Sequence, residues 1–229
     1  MTTPRLLERI RADLNQAGDP QRAEGQRVYM RSEMPFHGVT APELRALLRP
    51  HLAAYAPADR AAWERDVREV WDGATHREER YAAIALARHR VARPWQDVAT
   101  LHLHRHLVVT GAWWDVVDTI AGHLVGGVLR GHRPEATPVV IAWARDDDLW
   151  LRRTAVLSQL RHGADTDTAL LAEAIDANLD DRSFWLRKAI GWALREHSRT
   201  DPAWVREHVA AWDDRISGLS RREALKHLP

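Results

Sequence analysis

The residues with the clearest potential for chemistry form the run Trp113-Trp114-Asp115-Val116-Val117-Asp118. Arg153 follows Trp114 by about 39 residues, and Trp192 follows Arg153 by about the same interval, which is the length of a helical repeat. Residues at one repeat position face the same side of neighbouring repeats. The spacing therefore predicts that aromatic faces, a cation and a carboxylate line one groove.

The run itself fits a helix that begins near Gly111. Trp114 and Asp118 are four residues apart and share one helix face, whereas Asp115 lies about 100° round the axis. Trp113 points elsewhere, and we expect it to pack in the core. Asp118 follows two valines, and because an unpaired buried carboxylate is costly, it must be paired, capping or functional.

Two later helices show a similar alternation of aromatic and basic residues. Trp150 and Arg153 are i and i+3, while Trp185, Lys188 and Trp192 are i, i+3 and i+7. Interleaved indole and cationic groups suit contacts with phosphates, sugars and cationic bases. The alternative is a tryptophan packed in the core beside an arginine that extends to solvent.

The elements that would position these residues are helical almost throughout, because apolar residues recur at helical spacing and strand-like alternation is nearly absent. Thr40-Ala41-Pro42-Glu43 has the pattern of a capping box, and Thr200-Asp201-Pro202 is a similar start signal. We count about a dozen helices of about 12 to 16 residues. The loops are too short for crossovers, which favours antiparallel helix pairs.

An internal repetition indicates that these pairs stack. Trp150-Leu151-Arg152-Arg153 recurs about 35 residues later as Trp185-Leu186-Arg187-Lys188, each after an acidic turn. The sequence thus predicts one all-α domain over residues 1–229, a solenoid of paired antiparallel helices with a concave face that could hold an extended ligand such as nucleic acid.

Composition narrows the function further. The 229 residues include no cysteine, which excludes disulfides and thiolate metal sites. No stretch approaches the roughly 20 apolar residues of a membrane span, so we expect a soluble cytoplasmic protein. All but two of the 33 basic residues are arginine, which suits phosphate binding but is also what a GC-rich genome encodes. His102, His104 and His106 are interpreted as a solvated helix face rather than a metal site.

Several segments together resemble the AlkD family of alkylpurine DNA glycosylases, over essentially the whole chain. The segments that carry this resemblance are Trp113 to Asp118, Trp150 to Ala155, Lys188 to Glu196, Ser217 to Leu228, Tyr29 to Arg31 and Pro35 to Val39.

The resemblance implies a solenoid of HEAT-like repeats that binds double-stranded DNA on its concave face, probing the lesion without base flipping. It places Trp114, Asp118 and Trp192 on the family's active-site positions and Arg153 on its DNA-backbone arginine, with Tyr29 on the lesion side. Further residues are predicted to contact DNA: Arg152, as the alternative to Arg153 in a register one residue apart, Lys188, Trp185, and Arg195, which could instead pair with Glu196 or with a neighbouring helix.

The implied activity is monofunctional hydrolysis of the N-glycosidic bond of N3-alkyladenine and N7-alkylguanine, as in base excision repair, with no cofactor or metal. We expect a monomer of bacterial origin that associates with the nucleoid. The alternative is a HEAT-like scaffold that binds DNA or protein without catalysis. Within the enzyme hypothesis, general repair and self-resistance against a bulky DNA-alkylating natural product stay open.

Overall fold

The computed structural model describes residues 5–228, and within that range the chain is all-helical, with no strand. The all-α prediction is confirmed. The chain divides into two compact units, Met1–Trp95 and Gln96–Pro229, each described here by itself. The single domain over residues 1–229 stays a prediction. Within the described residues, no helix has both the length and the apolar character needed to cross a bilayer.

The first unit packs its helices around buried tryptophan and aliphatic side chains, Trp63 and Trp71 among them. The predicted capping box is confirmed: Thr40 accepts from the backbone of Glu43, whose side chain accepts from the backbone of Thr40. The described α-helices of this unit are α1 (Leu6–Ala17), α2 (Pro20–Met30), α3 (Ala41–Ala53), α4 (Arg60–Asp72) and α5 (Arg77–Ala87).

The second unit carries most of the predicted site residues. Its described α-helices are α6 (Leu101–Gly111), α7 (Trp114–Thr119), α8 (Gly126–Gly131), α9 (Arg133–Ala144), α10 (Leu149–Leu157), α11 (Thr168–Asp176), α12 (Phe184–His197), α13 (Pro202–Ala211) and α14 (Gly218–Ala224). Short 3-10 helices occupy Arg90–Trp95, at the end of the first unit, and Val98–Thr100 and Gly163–Asp165 in the second.

A π-helical turn, Ile120–Val125, joins α7 to α8, so that Trp114 to Gly131 runs as one continuous helix. Such turns widen a helix by one residue and often occur at functional sites. Gly126 lies directly after this turn, where a Cβ would come 2.4 Å from the carbonyl oxygen of Ser158. Gly126 therefore allows the continuous helix to pack closely against the segment that follows α10.

Four helices of the second unit form a row, because α7 contacts α10, α10 contacts α12, and α12 contacts α14. Polar caps start the last three: Asp148 accepts from the backbone of Trp150, Ser183 from that of Trp185, and Ser217 from that of Ser220. The repeated Trp-Leu-Arg-Arg and Trp-Leu-Arg-Lys segments therefore begin equivalent helices, as their 35-residue separation predicts. This row positions the candidate site.

Candidate active site

Equivalent positions along the row of helices carry charged side chains at one constant interval. Asp118 of α7 pairs with Arg153 of α10, and Lys188 of α12 pairs with Glu223 of α14, each across 35 residues. Arg153 and Lys188 are also separated by 35 residues in the sequence. The structural repeat is therefore 35 residues, and the 39-residue spacing from Trp114 to Arg153 and on to Trp192 adds one helical turn to it.

Asp118 is held by a side-on pair of hydrogen bonds. Nε of Arg153 donates to Oδ1 of Asp118 and Nη2 donates to Oδ2, both at 2.7 Å. Only 12% of the Asp118 side chain and 4% of the Arg153 side chain are exposed. Burial raises the pKa of the Asp118 carboxyl above its ordinary value, and the Arg153 guanidinium opposes that rise. The sequence argument that Asp118 must be paired is confirmed.

Arg153 has a further partner on the neighbouring helix, since its Nη1 donates to the carbonyl oxygen of Trp185. The guanidinium carbon also lies 5.9 Å from the centre of the Trp185 ring. Three of the five N–H donors of Arg153 are thus used within the protein. In the structure the Arg153 guanidinium therefore binds the Asp118 carboxylate. The contact with the DNA backbone that the sequence resemblance implies for Arg153 stays a prediction.

The indole rings next to this pair form a cluster. The ring of Trp113 lies 6.1 Å from that of Trp150 and 5.3 Å from that of Trp185, and the rings of Trp150 and Trp185 are 5.7 Å apart. Phe184 adds an edge contact to Trp185. Trp113 thus packs against other aromatic rings, but it is half-buried rather than enclosed in the core as expected. Trp185 packs here too while staying half-buried.

An open cleft of about 290 Å³ lies beside the Asp118 carboxylate. Trp192 lines it together with Asp118, so the structure brings two of the three predicted active-site residues into one cleft. Trp114 lies one turn before Asp118 on the same helix face and is half-buried. The other described residues that line the cleft are Thr119, Gly122, His123, Leu160, Arg161 and Glu196.

The remaining basic residues predicted to bind DNA are held by acidic partners. Lys188 Nζ donates to Oε1 of Glu223 at 2.7 Å, and Arg195 Nη1 donates to Oε2 of the same carboxylate at 2.6 Å. Of the pairings considered for Arg195, the structure shows the one with a neighbouring helix, since Glu223 belongs to α14; contact with a phosphate stays a prediction. Arg152 donates to Asp181 at 3.1 Å and to two backbone carbonyl oxygens.

Tyr29 lies on α2 of the first unit and is 81% exposed, which is the largest value among the exposed large apolar side chains of the described chain. Its exposure leaves the ring open to a ligand. Nothing in the first unit by itself assigns that ligand, so the lesion-side role of Tyr29 stays a prediction.

Three titratable residues of the cleft were not predicted as site residues from the sequence: His123, Arg161 and Glu196. One signal for Arg161 was available, because it stands 35 residues before Glu196, the interval that also relates the other charged positions of this row. Glu196, which the sequence offers only as a salt-bridge partner for Arg195, also lines the cleft.

A cluster of side chains that could ligate a metal lies in the first unit, where nitrogen and oxygen atoms of His37, His76 and Glu79 come within 4.8 Å of one another. The two imidazole rings are stacked at 3.9 Å. Arg11 donates twice to the Glu79 carboxylate, at 2.7 and 2.9 Å, and lowers its pKa against the effect of burial. Because that guanidinium already neutralises Glu79, the arrangement is that of an ion-pair network.

The histidine-rich segment of α6 differs from its interpretation as a solvated face. His102 is exposed and His106 half-buried, but His104 is fully buried, and its ring nitrogens lack a hydrogen-bond partner. Burial lowers the pKa of His104 to about 3. The interpretation was wrong for His104 because this side chain points into the core of the second unit.

Comparisons with known proteins agree with this fold over nearly the full chain. Residues 10–228 match the model of a family described as DNA alkylation repair enzyme. A solved structure described as a predicted DNA alkylation repair enzyme from Enterococcus faecalis has 30% sequence identity and a TM-score of 0.84, covering 92% of this chain and 96% of that one. No curated protein matches the chain.

Proposed function

Because this chain belongs to the family of DNA alkylation repair enzymes, we propose that it is a monofunctional DNA glycosylase for cationic alkylated purines in duplex DNA. Its substrates are N3-alkyladenine and N7-alkylguanine nucleotides. The observation that carries the proposal is the Asp118 carboxylate, fixed by Arg153 at the edge of a cleft that it shares with Trp192.

The chemistry of the substrate determines what the protein must supply. An alkylated purine cation is a good leaving group, so the C1′–N bond breaks without a strong general acid. Positive charge then develops on the deoxyribose, and a carboxylate held in a partly buried site stabilises it. Asp118 fits this role, because the fork of Arg153 fixes its orientation before the substrate arrives.

Water completes the reaction. Its oxygen bonds to C1′ as the electron pair of the C1′–N bond leaves with the purine, which becomes neutral. Asp118 orients this water, and the proton that it releases passes to a carboxylate or to solvent. Trp192 and Trp114 hold the cationic nucleotide against their ring faces.

The ion pair of Lys188 supports a hydrolase rather than a lyase. A lyase needs a neutral amine to form a Schiff base with the sugar. The Lys188 ammonium instead donates to Glu223 at 2.7 Å. An open cleft beside Asp118 also suits a target base that stays stacked in the duplex, because such a base needs no enclosing pocket.

The test is release of free base from duplexes that carry 7-methylguanine or a bulky N3-adenine adduct. We expect the native protein to release base from at least one duplex and Asp118→Asn to lose this activity while retaining DNA binding. Asp180→Asn is the matched control, since Asp180 is an exposed aspartate that pairs with Arg215. The preferred lesion separates general repair from self-resistance.

Release of neither base by the native protein would contradict the glycosylase proposal and favour the non-catalytic scaffold. Full activity of Asp118→Asn would remove Asp118 from the reaction.

A further inference from the structure

If the cleft beside Asp118 binds DNA, it has to attract negatively charged phosphates, although two carboxylates, those of Asp118 and Glu196, line it. Phosphates supply most of the affinity of proteins for DNA and are bound mainly by arginine and lysine. Three of the cations predicted for this task, Arg153, Lys188 and Arg195, are each held within 2.7 Å of a carboxylate oxygen. A cation without a carboxylate partner is therefore the better candidate to bind a phosphate at this cleft.

Arg161 is the one arginine among the described residues that line the cleft. It is exposed, lies in the turn after α10, and pairs with no carboxylate in the described part of the chain. The neighbouring Arg130 donates to the backbone carbonyl of Arg161 and likewise has no acidic partner there. Two arginines without a counter-ion next to a cleft form a local positive field that favours an anion.

The Arg161 side chain packs against the π-helical turn at Gly122. A Cβ added at Gly122 would lie 3.8 Å from both Cγ and Cδ of Arg161, at ordinary van der Waals distance. The stem of Arg161 therefore runs along the glycine surface of that turn, one helical turn beyond Asp118. A branched side chain at position 122 would occupy the space of this stem.

We propose that Arg161 binds a phosphodiester next to the damaged nucleotide and so sets the position of its deoxyribose against Asp118. The proposal rests on the glycosylase function above and adds to it a phosphate subsite formed by Arg161 over Gly122. Guanidinium groups bind phosphate oxygens with two parallel hydrogen bonds, which fixes orientation as well as distance.

The first test is the salt dependence of equilibrium binding to an undamaged duplex. Arg161→Ala should bind about tenfold more weakly at low salt, and the slope of log K against log salt should fall by about 0.9. Arg161→Lys should keep most of the slope because it keeps the charge. Arg206→Ala, which removes an exposed arginine from α13, should leave the slope unchanged.

The second test locates the phosphate with lesion duplexes in which single phosphates near the damaged nucleotide are replaced in turn by neutral methylphosphonates. In the Asp118→Asn background, one replacement should weaken binding by the protein with Arg161 but leave the Arg161→Ala protein unaffected. Gly122→Val should reduce base release while leaving the charge of the protein unchanged.

An unchanged salt slope for Arg161→Ala, or equal sensitivity of both proteins at every methylphosphonate position, would overturn the subsite. These measurements stand apart from the proposed activity. If the native protein releases no base, the glycosylase proposal fails while the binding slopes still report on Arg161; if base is released and the slopes are equal, only the subsite fails.

Discussion

Asp118 and Arg153 depend on each other, and this dependence decides how substitutions at the two positions act. A carboxylate with 12% exposure is stable as an anion only because a guanidinium neutralises it. The two hydrogen bonds from the same guanidinium also fix the orientation of the Asp118 carboxylate at the edge of the cleft. Arg153 therefore acts on catalysis through Asp118, as a positioning residue.

At this residue scale we predict that Arg153→Ala lowers the free energy of unfolding by about 3 kcal/mol, because it leaves a buried carboxylate without its counter-ion. Arg152→Ala should cost about 1 kcal/mol or less, since its pair with Asp181 is more exposed. Urea unfolding measures both. Adding Asp118→Asn to Arg153→Ala should recover part of the loss; no recovery would mean that the charge of Asp118 is not what destabilises the variant.

DNA binding by the Arg153 variants settles the phosphate role that the sequence assigned to this residue. A salt slope equal to that of the native protein means that Arg153 reaches no phosphate, whereas a slope lowered by about one means that it does.

The residue types of the site could be predicted from sequence, but their partners could not. The apolar surroundings of Asp118 showed that it needs a partner. The identity of that partner depends on how α10 docks on α7, which local sequence does not encode. Arg161 was missed because it follows the last turn of α10, where helical periodicity no longer predicts which way a side chain points.

At the scale of elements, the contact between α12 and α14 holds Glu223 between Lys188 and Arg195. Gly191 permits this contact, because a Cβ there would lie 2.6 Å from the Cβ of Glu223 and 3.0 Å from the carbonyl oxygen of Ser220. Both neighbours belong to one short helix, so α14 has to shift as a whole to make room.

We therefore predict that Gly191→Ala destabilises the protein by about 1 to 3 kcal/mol, through overpacking. Gly127→Ala is the matched control: Gly127 is exposed in the continuous helix, and a Cβ there meets no atom within 4 Å. That substitution should stabilise by about 0.5 to 1 kcal/mol, because alanine favours helix over glycine. Midpoints of chemical unfolding measure both changes in stability. If both substitutions stabilise the protein, or both destabilise it, this account of the α12–α14 contact is contradicted.

The elements themselves were largely predictable. Capping residues such as Thr40 and Asp201 begin helices where the sequence placed them. The π-helical turn at Ile120–Val125 was not predicted, because its apolar residues have the same spacing as those of the α-helix around it. The two structures differ only in that each π-helical hydrogen bond spans five residues instead of four. That turn shapes the cleft.

At the scale of the whole molecule, acid should unfold the protein through histidines that are buried or half-buried in the folded state. Burial lowers the pKa of each of these histidines below its ordinary value: His76, His89, His104, His162 and His197. A histidine whose pKa is lower in the folded protein binds protons preferentially in the unfolded chain. Its contribution to stability is complete above its unfolded pKa and is lost as the pH falls toward its folded pKa.

We predict that the free energy of unfolding falls by about 3 kcal/mol between about pH 6.5 and about pH 4 because of His104 alone, since it becomes protonated in the unfolded chain while its pKa in the folded protein is about 3. His104→Leu should flatten the fall in stability over this range, whereas His102→Gln, at an exposed position, should not. Thermal unfolding followed across this pH range gives the comparison. Equal pH dependence in both variants would show that His104 does not stay neutral in the folded protein.

The interval of 35 residues that relates Asp118, Arg153, Lys188 and Glu223 also constrains how the second unit can change in evolution. An insertion or deletion of one whole interval leaves the phase of the remaining helices intact, and a shortened array would still pair an acid with a base. Loss of residues 154–188, for instance, would bring Glu223 into register with Arg153. A change of another length inside one of these helices would rotate the positions after it about the helix axis and turn charged side chains away from their partners, whereas the connecting loops tolerate such changes. Homologues that differ in length within the helices of this row should therefore do so by whole modules.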